Sequence, residues 1–223
     1  MVNPHFDALF ESLSNEPAKF NYAFSKRLVA GKKILDLGCW VGYFEFAARS
    51  EKQIIGLDTS LHALKFAKKN LSNSFVNASV FSLPFKPNSF DAACLWEVLE
   101  HLPKGSEANA LQELHGVLKT GGFLFISTPN NNLFSNILDP AFLFGHRHYS
   151  KQVLKKLLHK TGFELALAKE AGGFFKIADT FLMYLWKHLF HRKKPVIKII
   201  DKMVEKEMNS KGFEHLYAIA KKK

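Results

Sequence analysis

The chain has 223 residues and a formal net charge of +11, with 47% apolar and 23% charged side chains. That length buries one full core and leaves little room for two domains, and the apolar share is that of a globular chain rather than a disordered one. Two cysteines, Cys39 and Cys94, exclude a disulfide scaffold, and the absence of any uncharged apolar run of about 18 residues argues against a membrane-spanning helix.

The first residues, MVNPHFDALFES, carry acids early and show no apolar signal core, so a cytoplasmic location is expected, with membrane association left open. Residues 1–30 read as a helical cap of one or two helices, broken at Pro17. Strand and helix then alternate. Residues 33–37 form a short apolar run that stops at Gly38, a buried strand, and 42–50 read as a helix. Strand 53–57 precedes helix 61–71, where Leu61, Leu64, Ala67 and Leu71 fall at helical spacing. Strands follow at 74–78 and 90–95, then a helix at 106–118 with Ser106 as N-cap. A fifth strand at 122–128, a helix at 151–160 ended by Gly162 and a sixth strand at 163–169 continue the pattern. Two helical patterns, 174–190 and 196–208, interrupt it before a last strand at 213–220. The alternation predicts an α/β fold, a doubly wound and mostly parallel seven-stranded sheet with helices on both faces. The expected organisation is a cap at 1–30, a core at 31–171, a helical insertion at 172–212, and a last strand with a basic tail at 213–223.

The first strand leads into Asp36-Leu37-Gly38-Cys39-Trp40-Val41-Gly42. Gly38 and Gly42 suit a tight turn that brings backbone close to a ligand. Asp58 ends the second strand 20 residues after Gly38, where dinucleotide folds keep an acid for ribose hydroxyls. A dinucleotide dehydrogenase would carry G-x-G-x-x-G here. Asp36 stands in its place, an acid that would repel a pyrophosphate and attract a cationic ligand.

The run resembles motif I of the class I S-adenosylmethionine-dependent methyltransferases, whose fold is Rossmann-like. Leu83-Pro84-Phe85 to Phe90-Asp91, then Glu97-Val98-Leu99-Glu100-His101-Leu102, then Leu118-Lys119-Thr120-Gly121-Gly122, resemble later motifs of that family in the expected order. The likeness is to the small-molecule group that includes the ubiquinone-biosynthesis O-methyltransferases. It implies S-adenosyl-L-methionine as cofactor. By position, Asp36, Gly38, Cys39 and Gly42 would line its methionine end, Asp58 and Thr59 its ribose, Ser79 and Val80 its adenine, and Trp96 the region of the reacting methyl. Family members usually place an acid before Val80 to bond the adenine amine; Ser79 is a departure that removes charge assistance. Trp40 suits either the core or the wall of the cofactor site. The resemblance also associates Glu97, Glu100 and His101 with a metal ion, although the same residues serve as structure in many relatives, and no metal is expected. His101, and His146 and His148 ahead of a helix with Tyr149, are the candidate acid–base groups.

The basic excess is concentrated late: residues 172–223 hold 12 Lys or Arg against 5 Asp or Glu. In 174–190 the polar residues Lys176, Asp179, Thr180 and Lys187, with Met183, form one narrow line on an otherwise apolar helix. That helix reads as a lid over an apolar acceptor, as a peripheral membrane contact through 174–194 aided by Arg192-Lys193-Lys194, or as packing on the core or a second subunit. The expected activity is methyl transfer to a small or lipid-like acceptor, at oxygen or carbon. Nucleic-acid or protein methylation is the rival, and the fourth strand's Leu95-Trp96-Glu97-Val98 lacks the N-P-P-Y type segment of many base and amide methylating enzymes. A non-catalytic binding protein on the same scaffold is the third reading, prompted by Ser79. Oligomeric state is not legible.

Overall fold

The computed structural model describes residues 16–51, 53–138, 142, 145–189, 195 and 197–223. The expectations for residues 1–15 and for the basic run at 192–194 lie outside these. Among the described residues the strands are β1 (Ile34–Leu37), β2 (Ile54–Asp58), β3 (Ser74–Asn77), β4 (Phe90–Trp96), β5 (Leu118–Pro129), β6 (Phe163–Ala171) and β7 (His215–Lys222). The helices are α1 (Glu16–Val29), α2 (Tyr43–Ala47), α3 (Leu61–Asn70), α4 (Glu107–Val117), α5 (Leu133–Leu138), α6 (Lys151–Lys160), α7 (Phe174–Leu189) and α8 (Lys198–Asn209), with a 3-10 turn at Leu99–His101.

The sheet runs β3-β2-β1-β4-β5-β7-β6. Its ladders are parallel from β3 to β5, and β7 is antiparallel to both β5 and β6. Every residue of β1 is buried, as a central parallel strand covered on both faces requires. Because its side chains alternate, Leu35 and Leu37 face a core shared with Leu111 of α4 and Leu154 and Leu158 of α6. Ile34 faces the opposite core with Phe44, Trp96, Phe125 and Tyr217. Helix α1 closes that second face by setting Phe20 and Phe24 against Tyr217, with ring centroids 4.8 and 5.6 Å away.

Two local expectations change. Ser106 holds the N-cap position of α4 without capping it; its hydroxyl instead donates to Pro103 O at 2.7 Å. Side-chain caps are supplied by Ser60 to Ala63 N and by Ser150 to Val153 N. The last strand continues to Lys222 rather than ending before a basic tail. The Lys222 side chain is buried and its ammonium donates to Leu118 O at 2.7 Å, His115 O at 2.6 Å and Asn88 Oδ1 at 3.2 Å. A cation thereby satisfies carbonyls that α4 leaves open at its C-terminus. Lys222→Ala should lower stability by about 1.5–3 kcal/mol, the worth of hydrogen bonds to a charged group, whereas Lys223→Ala should have no effect; urea denaturation of both variants measures the difference.

Candidate active site

In a doubly wound sheet ligands bind beyond the carboxyl ends of the strands, where the strand order reverses. Here that point lies between β1 and β4, and two cavities meet there. One, of about 470 Å³, is lined by Asp36, Gly38, Cys39, Trp40, Trp96 and Glu97, with Ala18 and Asn21 from α1 and Lys176, Asp179, Thr180 and Met183 from α7 above. The other, of about 410 Å³, is lined by Asp58, Thr59, Ala78, Ser79, Val80, Phe81 and His101. Gly38, Trp40 and Glu97 line both.

The loop between β1 and α2 is fixed by backbone geometry. Gly38 has φ 73, and a Cβ there would stand 2.6 Å from Val98 Cγ2; only glycine meets both conditions. The Asp58 carboxylate accepts from Trp40 N at 2.9 Å and Ser60 N at 2.7 Å, so β2 holds the loop of β1 in place. Trp40 and Glu97 are themselves left-handed, at φ 52 and 55, a conformation that costs a side-chain-bearing residue about 1–2 kcal/mol. Strain of this kind concentrates at functional sites.

The ionisable side chains of the site are mostly acids. Asp36 is 2% exposed and its Oδ1 has no hydrogen-bond partner. Both oxygens of the fully buried Glu45 are also unpartnered. Burial first, and then Glu45 and Asp58, lift the Asp36 carboxyl well above the usual carboxylate range; burial raises Glu45 to about 8. At the end of β4 the opposite holds. Ser127 donates to Glu97, and His215 Nε2 lies 2.8 Å from Glu97 Oε2 while its Nδ1 meets Glu214. Burial would raise the Glu97 carboxyl, yet His215 and these bonds bring it to about 2. Burial would likewise depress His215, but Glu214 and Glu97 raise it well above the usual imidazole value. Glu97 is thus an anion beside an imidazolium.

A methyltransferase-domain family model matches residues 35–126, from β1 into β5, the segment that supplies Asp36, Gly38, Trp40, Asp58 and Glu97. A ubiquinone biosynthesis O-methyltransferase of Burkholderia vietnamiensis is 29% identical over 182 residues, 78% of this chain and 75% of that one. A protein of the same name from Nitrosospira multiformis is 36% identical over 138 residues, 58% of this chain and 55% of that one. Together these likenesses support a class I S-adenosylmethionine-dependent methyltransferase. Solved structures show the same fold: a SAM-dependent methyltransferase of Archaeoglobus fulgidus has a TM-score of 0.67 at 20% identity, covering 93% of this chain and 94% of that one. The cyclase SpnF has a TM-score of 0.68 at 22% identity, covering 92% of this chain and 81% of that one.

The methyltransferase's cofactor is S-adenosylmethionine, and the unpartnered buried oxygen of Asp36 suits the ammonium group of its amino-acid end. Of the residues expected from sequence, Asp36, Cys39 and Trp96 fall on the larger cavity, Asp58, Thr59, Ser79, Val80 and His101 on the smaller, and Gly38 on both. Gly42 lines neither and precedes α2 with φ 88. The Cys39 thiol is pushed far up by burial and by Glu45, Asp36 and Asp58, so it is a packed side chain and not a nucleophile. His101 and His146 meet edge to face at 4.5 Å; burial and His146 hold His101 below its usual value. His148 stands apart, its Nδ1 2.8 Å from Asn136 Oδ1. Glu100 faces Thr128 at 3.1 Å, and burial followed by the Glu97 charge lifts its carboxyl well up. Glu97, Glu100 and His101 therefore turn to different partners, and among the described residues no three His, Cys, Asp or Glu side chains are grouped to hold a metal ion.

Glu45, Ser127, Glu214 and His215 were not expected. Glu45 could have been found: a lone acid in the Phe-rich run Tyr43-Phe44-Glu45-Phe46 that follows Asp36 closely invites a shared site. Its space depends on Gly56, where a Cβ would meet Glu45 Oε1 at 2.4 Å and Cys39 Sγ at 2.8 Å. A carboxyl raised from 4.5 to about 8 binds its proton more tightly folded than unfolded. The unligated protein should therefore lose stability as pH rises from about 5 to 8, with Asp36 acting in the same sense. Glu45→Gln, which cannot ionise, should flatten that fall by at least about 3 °C in Tm; Tm–pH curves that stay parallel for wild type and variant would show the carboxyl titrates normally.

Proposed function

We propose that this enzyme transfers the methyl group of S-adenosylmethionine to a hydroxyl of a small, partly apolar acceptor that enters beneath α7 and α8. The observation that carries the proposal is the pair of cavities joined at Gly38, Trp40 and Glu97. The smaller suits the adenosine, with Asp58 for the ribose and Ser79 for the adenine. The larger has room for the amino-acid end beside Asp36 and for an acceptor beside Trp96, Met183, Val204 and Met208. That the curated relatives are named ubiquinone biosynthesis O-methyltransferases supports an oxygen acceptor on a ring with an apolar tail. The S–CH3 bond breaks as the O–CH3 bond forms, the sulfur leaves neutral, and the hydroxyl proton must pass to a base. His101, kept neutral near pH 7 by burial and His146, is the favoured base, with His146 behind it. His148, bonded to Asn136, is the weaker candidate. Glu97, held as an anion by His215, is a poor proton acceptor.

Asp58→Ala removes a carboxylate that both faces the smaller cavity and anchors Trp40. Loss of charged hydrogen bonds at about 1.5–3 kcal/mol predicts a Kd for S-adenosylhomocysteine raised about 10- to 150-fold. Calorimetry gives the constant directly, and an unchanged value would remove Asp58 from the site.

The two faces of α7 support a further element of the proposal, contact with a lipid surface. Its polar line, Lys176, Asp179, Thr180 and Met183, faces the cavity. Phe174, Phe181, Leu185 and Leu189 are exposed, as are Leu133, Phe134 and Ile137 of α5. The Phe134 and Phe174 rings meet at 6.1 Å and join the two helices into one surface. The apolar face thus points away from the cavity, the reverse of a lid that greets its acceptor with oil. A net charge of +11 complements anionic lipid. No helix of the described residues is long and apolar enough to cross a membrane, so contact would be peripheral. Wild type should sediment with anionic vesicles at low salt, and the double variant Phe181→Ser, Leu189→Ser should lose most of that binding while keeping its affinity for S-adenosylhomocysteine. Wild type that ignores such vesicles would refute the lipid contact and leave the soluble acceptor standing.

A further inference from the structure

Trp40 combines three properties that are difficult to reconcile with packing alone. Its backbone is held at φ 52, a conformation that favours glycine. The residue is 52% exposed, although it lies next to Cys39, which is buried. The ring meets no other ring and no cation among the described residues. It nevertheless lines both cavities, and the Asp58 carboxylate secures its position through the Trp40 amide.

In S-adenosylmethionine the sulfonium sulfur is the atom that joins the adenosyl 5′ carbon to the amino-acid chain. A ligand with its nucleoside in the smaller cavity and its amino acid in the larger must carry that positive sulfur past the residues common to both. Of these, Gly38 has no side chain, and the Glu97 carboxylate is engaged by Ser127 and His215. The unengaged side chain at the junction is the indole, and an indole face attracts a cation more strongly than other aromatic rings do.

We propose that Trp40 is a specificity-determining residue of the cofactor site, whose ring distinguishes the charged sulfonium of the substrate from the neutral thioether of the product. The proposal rests on the cofactor placement given above. It explains why a strained tryptophan occupies a turn that glycine would fill without strain. It also gives the protein a means of releasing S-adenosylhomocysteine, because the attraction ends when the methyl group leaves and the sulfur becomes neutral.

The test is calorimetric titration of wild type, Trp40→Gly and Trp40→Phe with three ligands. These are S-adenosylmethionine, S-adenosylhomocysteine and sinefungin, in which an amine-bearing carbon replaces the methylsulfonium and keeps a positive charge there. Trp40→Gly should weaken both cationic ligands about tenfold and S-adenosylhomocysteine less than about threefold, with Trp40→Phe between. The unligated Tm of Trp40→Gly should equal or exceed that of wild type, because a left-handed residue has become glycine. Equal weakening of all three ligands would overturn the proposal and make the ring a wall or an adenine stack. Unchanged binding of the cationic ligands would overturn it as well. Wild type that binds none of the three would instead refute the cofactor placement, and this proposal with it, before any variant is compared.

Discussion

Beneath the carboxyl end of β1, Asp36 and Glu45 bring carboxyl oxygens into the interior with no donor to meet them. Buried polar groups are ordinarily hydrogen-bonded, and a buried charge without a partner is strongly disfavoured. Much of the surrounding structure follows from this constraint. Gly56 leaves out a side chain so that Glu45 fits, and the loop bearing Trp40 is anchored by a third acid, Asp58. At the end of β4 the chain solves the same problem internally, by placing His215 between Glu97 and Glu214. At β1 no internal partner meets Asp36 Oδ1 or the Glu45 oxygens among the described residues.

That arrangement has a mechanistic limit. Negative charge around a sulfonium favours the bound cofactor over a transition state in which the positive charge is disappearing. Acids beside a sulfonium would serve affinity, and only interactions stronger in the transition state raise the turnover rate. Rate must come from alignment of acceptor and methyl and from exclusion of water. The helices α7 and α8 line the larger cavity. Glu207 of α8 accepts from Phe175 N at 3.1 Å and Lys176 N at 2.9 Å, so one helix caps the other. Lys169 of β6 donates to Met208 O at 3.0 Å and ties the pair to the sheet.

The central strands and the glycine loop were legible because both signals are local. A short apolar run followed by Asp36, Gly38 and Gly42 fixes a strand, a turn and a site within nine residues of chain. The polar line of α7 was legible for the same reason, since helical periodicity separates two faces. It does not say which face turns inward, and the outward direction of Phe181 and Leu189 came from packing. His215 was hidden because its partner Glu97 is 118 positions away and the two meet only through the antiparallel placement of β7 beside β5. Lys222 looked like a solvated tail because its three acceptors are backbone or side-chain oxygens from distant turns.

The order β5-β7-β6 at one side of the sheet also governs how the molecule assembles. Strand β6 forms its ladder with β7 alone, so it has no place in the sheet until β7 has docked against β5. The segment between them carries α7 and α8. Until β7 docks, β5 presents an open apolar edge, the kind of surface on which chains associate wrongly. Contacts of such long sequence separation are slow to form, which predicts that closure over the larger cavity follows formation of the β1–β4 half of the site.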